Sequence, residues 1–96
     1  MAKGYWVTFY RSISNPAKLA EYAKLAGPAI EAGGGRFLSR GTAVKAYENG
    51  IIQRCVVTEF DSVQKAIATF ESPAYQKAAK LLEGAVDRDI RILEGV

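Results

Sequence analysis

The segment Gly4–Arg11 is the feature that most limits the possible folds, because it reads as a strand that is apolar on both faces. Its sequence, GYWVTFYR, is rich in aromatic and β-branched residues, which favour extended backbone. Alternation along the strand divides its side chains between two faces: Tyr5, Val7 and Phe9 on one, and Trp6, Thr8 and Tyr10 on the other. A strand of this kind is covered on both sides, so we expect it at the centre of a sheet.

A helix is predicted directly after this strand. Asn15 can cap its N-terminus, and Pro16 fits the first helical position, where its missing N–H would be unpaired in any case. We expect Pro28 to break or kink the helix near Ala26–Gly27, and the glycines Gly33–Gly35 to end it.

The next two strands are predicted to form a hairpin. They are Arg36–Glu48, with a bend at Gly41, and Ile51–Phe60. Asn49–Gly50 between them favours a type I′ turn, which needs a positive φ at both central residues.

Two further helices and a last strand follow. Asp61 or Ser62 caps a helix whose apolar residues recur at i, i+3, i+4 and i+7 from Val63. Ser72–Pro73 ends that helix and begins another, which runs to Gly84. The alternating residues Asp89–Glu94 predict the final strand.

The resulting order, β-α-β-β-α-β, predicts an α+β protein with a ferredoxin-like fold. Right-handed crossovers then give an antiparallel four-stranded sheet with its helices on one face. The 96 residues fit a single domain over positions 1–96. The other face of the sheet would be bare in a monomer, so we expect a homodimer, in which two sheets face each other in a dimeric α+β barrel.

Composition excludes several kinds of chemistry. The chain has no histidine, so it cannot carry a Ser-His-Asp triad, a His-ligated zinc or a proximal-His haem. Cys55 is the single cysteine, so no intrachain disulfide can form, and its apolar surroundings predict a small buried hydrophobe. We therefore expect no metal site and no cofactor.

Charge and hydropathy argue against a nucleic-acid or membrane partner. The 13 basic and 10 acidic residues give a net charge of +3, and they are scattered rather than clustered. The third strand lacks the aromatic and glycine signature of RNA-recognition modules. No apolar run is long enough to span a bilayer, and the N-terminus has no signal-peptide core, so we expect a cytoplasmic protein.

Three charged residues on the predicted hairpin form the first candidate site. Arg40 and Arg54 can be cross-strand neighbours, and two guanidiniums suit a carboxylate or phosphate, since each offers a bidentate fork. Glu59, with a raised pKa, is the acid best suited to act as a base. The alternative is a structural Arg–Glu pair or a network within the dimer barrel.

Three further residues are candidates for lining a ligand pocket. Tyr75 can point its hydroxyl between helix and sheet, and Trp6 belongs to the aromatic first strand. Ser72 is explained by its role as a helix cap, and we include it only because it precedes Tyr75 by one turn. The alternative for both aromatic side chains is core packing.

Several segments resemble those of a known family, the domain of unknown function 1330. They are Lys3–Trp6 (KGYW), Gly34–Gly41 (GGRFLSRG), Glu59–Ser62 (EFDS), Ser72–Ala78 (SPAYQKA) and Asp87–Gly95 (DRDIRILEG). The resemblance covers nearly the whole chain and implies a dimeric α+β barrel, while the family's activity is not established. Members usually carry Arg at the position of Leu82 and commonly Tyr at that of Phe70. If that Arg helps to bind an anion in relatives, the ligand of this chain differs from theirs.

Two functions from different classes stay open. The first is binding of a small aromatic or carboxylate molecule in a pocket between sheet and helices, extending to a cofactor-free enzyme. The second is a non-catalytic dimeric binding or stress-related accessory protein, in which the polar residues serve the interface. A pocket of about 300 Å³ or more that contains Arg40 and Tyr75 favours the first, and a filled barrel favours the second.

Overall fold

A four-stranded antiparallel sheet, covered on one face by helices, makes up the fold. The computed structural model describes residues 2–96. Its elements are β1 (Gly4–Ile13), α1 (Pro16–Ala32), β2 (Arg36–Thr42), β3 (Arg54–Phe60), α2 (Val63–Phe70), α3 (Pro73–Ala79), a 3₁₀ turn (Lys80–Leu82) and β4 (Val86–Glu94). The strand order is β2-β3-β1-β4, with β1 in the interior of the sheet. The predicted fold class and the predicted central position of the first strand are therefore confirmed.

Side-chain caps start all three α-helices, as the sequence predicted. Asn15 Oδ1 accepts a hydrogen bond from the backbone N–H of Lys18 at 3.2 Å. Ser62 Oγ accepts one from Lys65 N at 3.1 Å. A cap satisfies one of the backbone donors that the first turn of a helix leaves unpaired, which is why these local signals identify the helix starts.

A break or a kink was predicted near Ala26–Gly27; the first helix continues through Pro28, so the predicted break is wrong. Proline cannot donate to the carbonyl of Lys24, four residues earlier. Pro28 and Lys24 both lie on the exposed side of α1, so water can replace the missing donor. On the opposite side Ile30 is buried in the core, and its packing keeps the last turns of α1 on the sheet.

The hairpin between β2 and β3 is shorter than predicted, and its turn lies elsewhere. Gly50 N donates to the carbonyl of Tyr47 at 2.9 Å, so the central residues are Glu48 and Asn49, and Glu48 has a φ of 53°. This turn opposes Tyr47 to Gly50, whereas the strand ladder opposes Thr42 to Arg54. The two registers are one residue apart, so the ladder ends and residues 43–53 form a loop.

Strand β4 begins at Val86, three residues before the predicted start, and therefore includes Asp87 and Arg88. The predicted final helix divides into α3 and the 3₁₀ turn, which ends at Leu82. Leu82 is buried among the core residues, so an apolar side chain fills this position.

The two faces of the sheet differ in how well this chain covers them. We call the side packed by α1, α2 and α3 the helix face. There the Trp6 ring is stacked 6.2 Å from the ring of Phe60 and meets Tyr75 edge-on at 4.8 Å. We call the other side the open face. Its side chains, by strand pairing, are Tyr5, Val7 and Phe9 of β1, Cys55, Val57 and Glu59 of β3, and Asp89, Arg91 and Leu93 of β4.

Large apolar side chains remain exposed on the open face. Phe9 is 43% exposed and Leu93 is 54% exposed. Cys55 is half-buried rather than fully buried as its sequence context predicted. Within residues 2–96, no helix has the length and apolar character needed to cross a membrane.

Candidate functional site

A small pocket lies between α1 and the helix face of strands β2, β3 and β1. We call it the α1 pocket, and its volume is about 40 Å³. Trp6 and Val56 contribute to its sheet side, while Tyr22 and Ala26 contribute to its helix side. This volume is below the roughly 300 Å³ at which small-molecule sites usually begin. Tyr75 is not among the residues that line the pocket.

Arg40 and Arg54 supply the charge of the α1 pocket, and its lining contains no acid. Arg40 lies opposite Val56, and Arg54 lies opposite Thr42, so the two arginines are diagonal neighbours on one face rather than a direct pair. The Arg40 guanidinium lies 4.3 Å from the centre of the Phe37 ring. Among the ion pairs of residues 2–96, none includes Arg40 or Arg54. Two cations without acidic partners therefore meet at one pocket.

Glu59 does not join these arginines, because its side chain lies on the open face. It accepts hydrogen bonds from Tyr5 Oη at 3.0 Å and from Arg36 Nε at 3.1 Å. Desolvation raises the pKa of Glu59, but the bonds from Arg36 and Tyr5 outweigh it and hold the pKa below its ordinary value. Glu59 therefore lacks the raised pKa that a role as a base requires, and it forms an ion pair with Arg36.

Ser72 and Tyr75 have structural partners. Ser72 Oγ accepts from Tyr75 N at 3.2 Å and donates to the carbonyl of Thr69 at 2.7 Å, so its hydroxyl is occupied by the helix cap. Tyr75 is fully buried. Its hydroxyl shares a hydrogen bond with that of Tyr22, with 2.7 Å between the two oxygens. Because Tyr22 lines the α1 pocket, Tyr75 supports the pocket wall from behind.

Arg88 is the polar residue that sequence analysis missed. It lies on the helix face of β4, where its guanidinium is surrounded by tyrosines. Nη1 donates to Tyr22 Oη at 3.2 Å and to Tyr10 Oη at 3.5 Å, while Nη2 donates to Tyr75 Oη at 3.1 Å. In the part of the chain that the structure describes, no carboxylate lies within ion-pair distance of Arg88. We call these four residues the Arg88 cluster.

Burial and charge act in opposite directions on the pKa values of the cluster. Burial raises the pKa of Tyr22 well above its ordinary value, and the nearby Arg88 offsets only part of this rise. Burial alone would lower the pKa of Arg88, but attraction to Tyr22 and Tyr75 outweighs it and raises that pKa. Burial also raises the pKa of Tyr10, against smaller lowering effects of Arg88 and Arg54. At neutral pH Arg88 is therefore a cation, and Tyr10 and Tyr22 keep their protons.

A signal for Arg88 was present in the sequence. Arg88, Ile90 and Ile92 alternate along β4, so an arginine stands in the phase of two apolar, core-facing residues. The predicted strand starts at Asp89 and so excludes Arg88, which is why the alternation of Arg88 with Ile90 and Ile92 was not recognised.

Metal binding has no support in the side-chain arrangement of residues 2–96. No group of three His, Cys, Asp or Glu side chains in that range could hold a metal ion.

The sequence places the chain in a known family. A family model described as domain of unknown function 1330 (DUF1330) matches residues 3–96. The chain belongs to this family. The resemblance of the sequence segments is thereby confirmed, and no curated protein matches the sequence.

Several solved structures share the fold of this chain. A protein of unknown function from Rhodopseudomonas palustris matches with a TM-score of 0.75 and 19% identity, over 99% of this chain and 83% of that one. A dimeric ferredoxin-like protein of unknown function from Thermobifida fusca matches with a TM-score of 0.68 and 14% identity, over 97% and 91%. SnoaB, a cofactor-independent oxygenase from Streptomyces nogalater, matches with a TM-score of 0.65 and 9% identity, over 97% and 92%. At these identities the likeness establishes the ferredoxin-like fold alone.

Proposed function

We propose that this DUF1330 protein is a cytoplasmic homodimer that binds a small organic carboxylate in the α1 pocket of each copy. The observation that supports binding is the presence of Arg40 and Arg54 at a pocket without acids. A guanidinium offers a fork of donors that matches the two oxygens of a carboxylate. The ligand's charged end would lie at these arginines.

The size and the lining of the pocket limit the ligand. A volume of about 40 Å³ compares with the 10–15 Å³ or so that one water needs, so the pocket admits only a few heavy atoms without movement of α1. Trp6 and Tyr22 offer aromatic surface there. The proposed ligand is therefore a short carboxylate, or a longer one whose apolar end alone enters.

Binding without catalysis is the form of this proposal that the lining favours. General-base catalysis needs a group that can take up a proton near neutral pH. Tyr10 and Tyr22 have raised pKa values and keep their protons, and Glu59 lies on the opposite face of the sheet. No group of the pocket suits that role.

A cofactor-free enzyme is the second candidate. Arg54 and Arg88 both lie close enough to Tyr10 to affect its pKa, so positive charge surrounds this end of the pocket. Such charge can stabilise an anion that develops on a substrate. Incubating bound carboxylates in air and following them by ¹H NMR tests this candidate: conversion that is lost in Arg54→Gln supports it, and unchanged spectra count against it.

A homodimer would cover the open face. Phe9 and Leu93 expose apolar surface there, and Val7 and Val57 lie opposite each other on the same face. Burying such surface is favourable, and a second copy offers a matching one. The Thermobifida fusca neighbour, described as dimeric, supports this part of the proposal.

A ligand screen with matched variants tests the binding site. Short aliphatic and aromatic carboxylates are titrated against the wild type, Arg40→Gln, Arg54→Gln and Lys77→Gln, with melting temperature as the readout. Lys77 lies exposed on α3, so its variant removes one positive charge outside the pocket. The uncharged amide of each acid serves as the ligand control.

We expect carboxylates to raise the melting temperature of the wild type and of Lys77→Gln, but not that of either arginine variant. The amides should have no effect. Equal shifts in Arg54→Gln and wild type, or equal shifts by acid and amide, would contradict the proposed site.

A further inference from the structure

The Arg88 cluster contains more hydrogen-bond donors than the chain supplies with acceptors. A guanidinium has only N–H donors, and each tyrosine hydroxyl has one hydrogen to donate. Arg88 donates to all three tyrosine oxygens of the cluster, so none of the hydroxyls gives its hydrogen to Arg88. Among residues 2–96 the hydroxyls make one further bond, between Tyr22 and Tyr75. That bond uses one hydroxyl hydrogen, and the other two have no acceptor.

Burial decides which hydroxyl donates in the bond between Tyr22 and Tyr75. Tyr75 is fully buried and does not line the α1 pocket. In the described part of the chain, Tyr22 is the only acceptor for its hydrogen. Because a buried donor without a partner is costly, Tyr75 donates and Tyr22 accepts. The two hydrogens without an acceptor are therefore those of Tyr22 and Tyr10.

Tyr10 and Tyr22 are also the members of the cluster that line the α1 pocket. Their hydroxyl oxygens lie 3.5 and 3.2 Å from the same nitrogen, Arg88 Nη1, so the two hydroxyls are neighbours. Since this nitrogen donates to both oxygens, both hydroxyl hydrogens turn away from it. One acceptor atom within reach of both hydroxyls would satisfy both donors.

Tyr10 lies beside one of the two arginines of the pocket. Across strands β1 and β3, Phe9 pairs with Cys55. The next row therefore brings Tyr10 and Arg54 together on the helix face. Burial raises the pKa of Tyr10, and the charge of Arg54 is among the effects that oppose this rise, as expected for a guanidinium near the hydroxyl. A carboxylate bound at Arg54 would thus have its neighbouring atoms close to the Tyr10 hydroxyl.

We propose that the α1 pocket selects short 2-oxo acids, with the 2-oxo oxygen accepting hydrogen bonds from Tyr10 and Tyr22. This inference rests on the proposed function, because the arginines of that site hold the carboxylate. In a 2-oxo acid the carbonyl carbon is bonded directly to the carboxylate carbon, so the two polar groups reach adjacent side chains. Arg88 is a positioning residue: it occupies the tyrosine oxygens and directs their hydrogens towards the ligand.

The excess of donors distinguishes 2-oxo acids from similar compounds. A carbonyl oxygen only accepts, so it suits surroundings that only donate. The hydroxyl of a 2-hydroxy acid brings a further donor to these surroundings. The ammonium of a 2-amino acid brings donors and a positive charge close to Arg88. An acid without a polar group at this carbon leaves both hydroxyls without a partner, and such a site discriminates against it.

Titration with three-carbon acids, followed by ¹H–¹⁵N NMR, tests this proposal. Next to the carboxylate, pyruvate carries an oxo group, lactate a hydroxyl, and propionate neither. The variants are Tyr10→Phe and Tyr22→Phe, and Tyr47→Phe is the matched control because Tyr47 is exposed outside the pocket. Arg54→Gln reports on the carboxylate. The indole signal of Trp6, the one tryptophan of the chain and a lining residue of the pocket, gives the dissociation constants.

We expect pyruvate to bind wild type and Tyr47→Phe about fivefold more tightly than propionate, and more tightly than lactate. Tyr10→Phe and Tyr22→Phe should each reduce the preference over propionate to about twofold and leave the binding of propionate nearly unchanged. Damage to the fold would weaken all three acids alike, so the ratio separates a bond to the oxo group from a structural role. The wild-type ratio is decisive even if a variant does not fold.

Two results would overturn the proposal and leave the proposed function standing, provided that Arg54→Gln weakens binding of all three acids. One is equal binding of pyruvate and propionate by wild type, and the other is a preference for pyruvate that persists in both Tyr10→Phe and Tyr22→Phe. If no acid binds wild type, or if Arg54→Gln leaves binding unaltered, the carboxylate site itself is refuted, and the selection of 2-oxo acids with it.

Discussion

The two faces of strand β1 carry similar kinds of residues, yet this chain treats them differently. On the helix face Trp6 and Tyr10 are 2% and 3% exposed, whereas on the open face Phe9 is 43% exposed. The helix face is completed within one chain, because α1, α2 and α3 cover it. The open face has an equally apolar strand and no cover of its own, and this difference is the basis of the homodimer proposal.

The charges of the two faces differ as well. On the open face the acids have basic partners close by, as in Glu59 with Arg36 and Asp89 with Arg91. On the helix face Arg40, Arg54 and Arg88 have no acidic partner among residues 2–96. Neutral aromatic groups are their neighbours instead. Uncompensated cations beside a pocket indicate a place for an anion, and this contrast supports binding on the helix face.

Replacing one aromatic residue on each face of β1 should give the largest difference in stability between the two faces. We expect Trp6→Ala to lower the free energy of unfolding by about 3–5 kcal/mol, because it leaves a cavity among Phe60, Phe70 and Tyr75. Phe9→Ala should cost less than half as much. Urea unfolding at one fixed protein concentration measures both, and equal losses would contradict the assignment of the two faces.

A second pair of variants compares two arginines on β4. Arg88→Met should lower the free energy of unfolding by about 2 kcal/mol, since charged hydrogen bonds to three buried tyrosines are lost. Arg91→Met, on the open face, removes an exposed ion pair and should cost less than about 1 kcal/mol. If Arg88→Met is neutral or stabilising in urea unfolding, the Arg88 cluster does not hold the helix face together.

Alkaline pH should destabilise the folded protein through Tyr22 on the helix face. The pKa of Tyr22 is raised in the folded protein, so the unfolded chain releases this proton first, near its ordinary value of 10.0. The stabilisation is complete below that pH and is lost as the pH rises above it. Urea unfolding between about pH 9 and 12 should show a shallower decline in Tyr22→Phe than in wild type, by up to about 1.4 kcal/mol per pH unit. Identical slopes would show that Tyr22 is not buried as described.

Acid pH should also destabilise the folded protein, by a smaller amount, through carboxylates on the open face. Desolvation raises the pKa of Glu59, but hydrogen bonds from Arg36 and Tyr5 outweigh it, and hydrogen bonding and attraction to Arg36 lower that of Asp61. A lowered folded pKa stabilises the protein above the unfolded pKa, and this contribution is lost as the pH falls through the folded value. Melting temperatures taken from pH 6 down to about pH 3 should therefore fall more in wild type than in Glu59→Gln. The Arg36–Glu59 pair has no such role if the two curves run parallel.

The parts of the fold that were predicted correctly depend mostly on local signals in the sequence. Asn15, Ser62 and Ser72 cap helices through contacts only three residues away, so each can be recognised without knowledge of the rest of the chain. Alternation along β1 correctly separated its two faces. The prediction that Asn49 and Gly50 form the centre of the turn was wrong, because the position of the turn depends on how the whole β2–β3 ladder pairs.

The candidate site was harder to predict, because it depends on which face each side chain takes. Arg40, Arg54 and Trp6 do line one pocket, but Glu59 differs from Arg54 in strand phase and lies on the other side of the sheet. Arg88 contacts Tyr10 and Tyr22, which are 78 and 66 residues away. Such contacts between residues distant in the chain are not visible in a single sequence, beyond the phase of Arg88 within β4.

The molar mass in dilute solution tests most directly whether a second copy covers the open face. Light scattering on the eluting peak should give twice the 10.4 kDa of one chain. Phe9→Asp, which introduces a charge on the open face, should shift the mass towards that of one chain, whereas Ala68→Asp on the exposed side of α2 should not. A wild-type mass of 10.4 kDa would contradict the account, because the apolar open face would then remain in water.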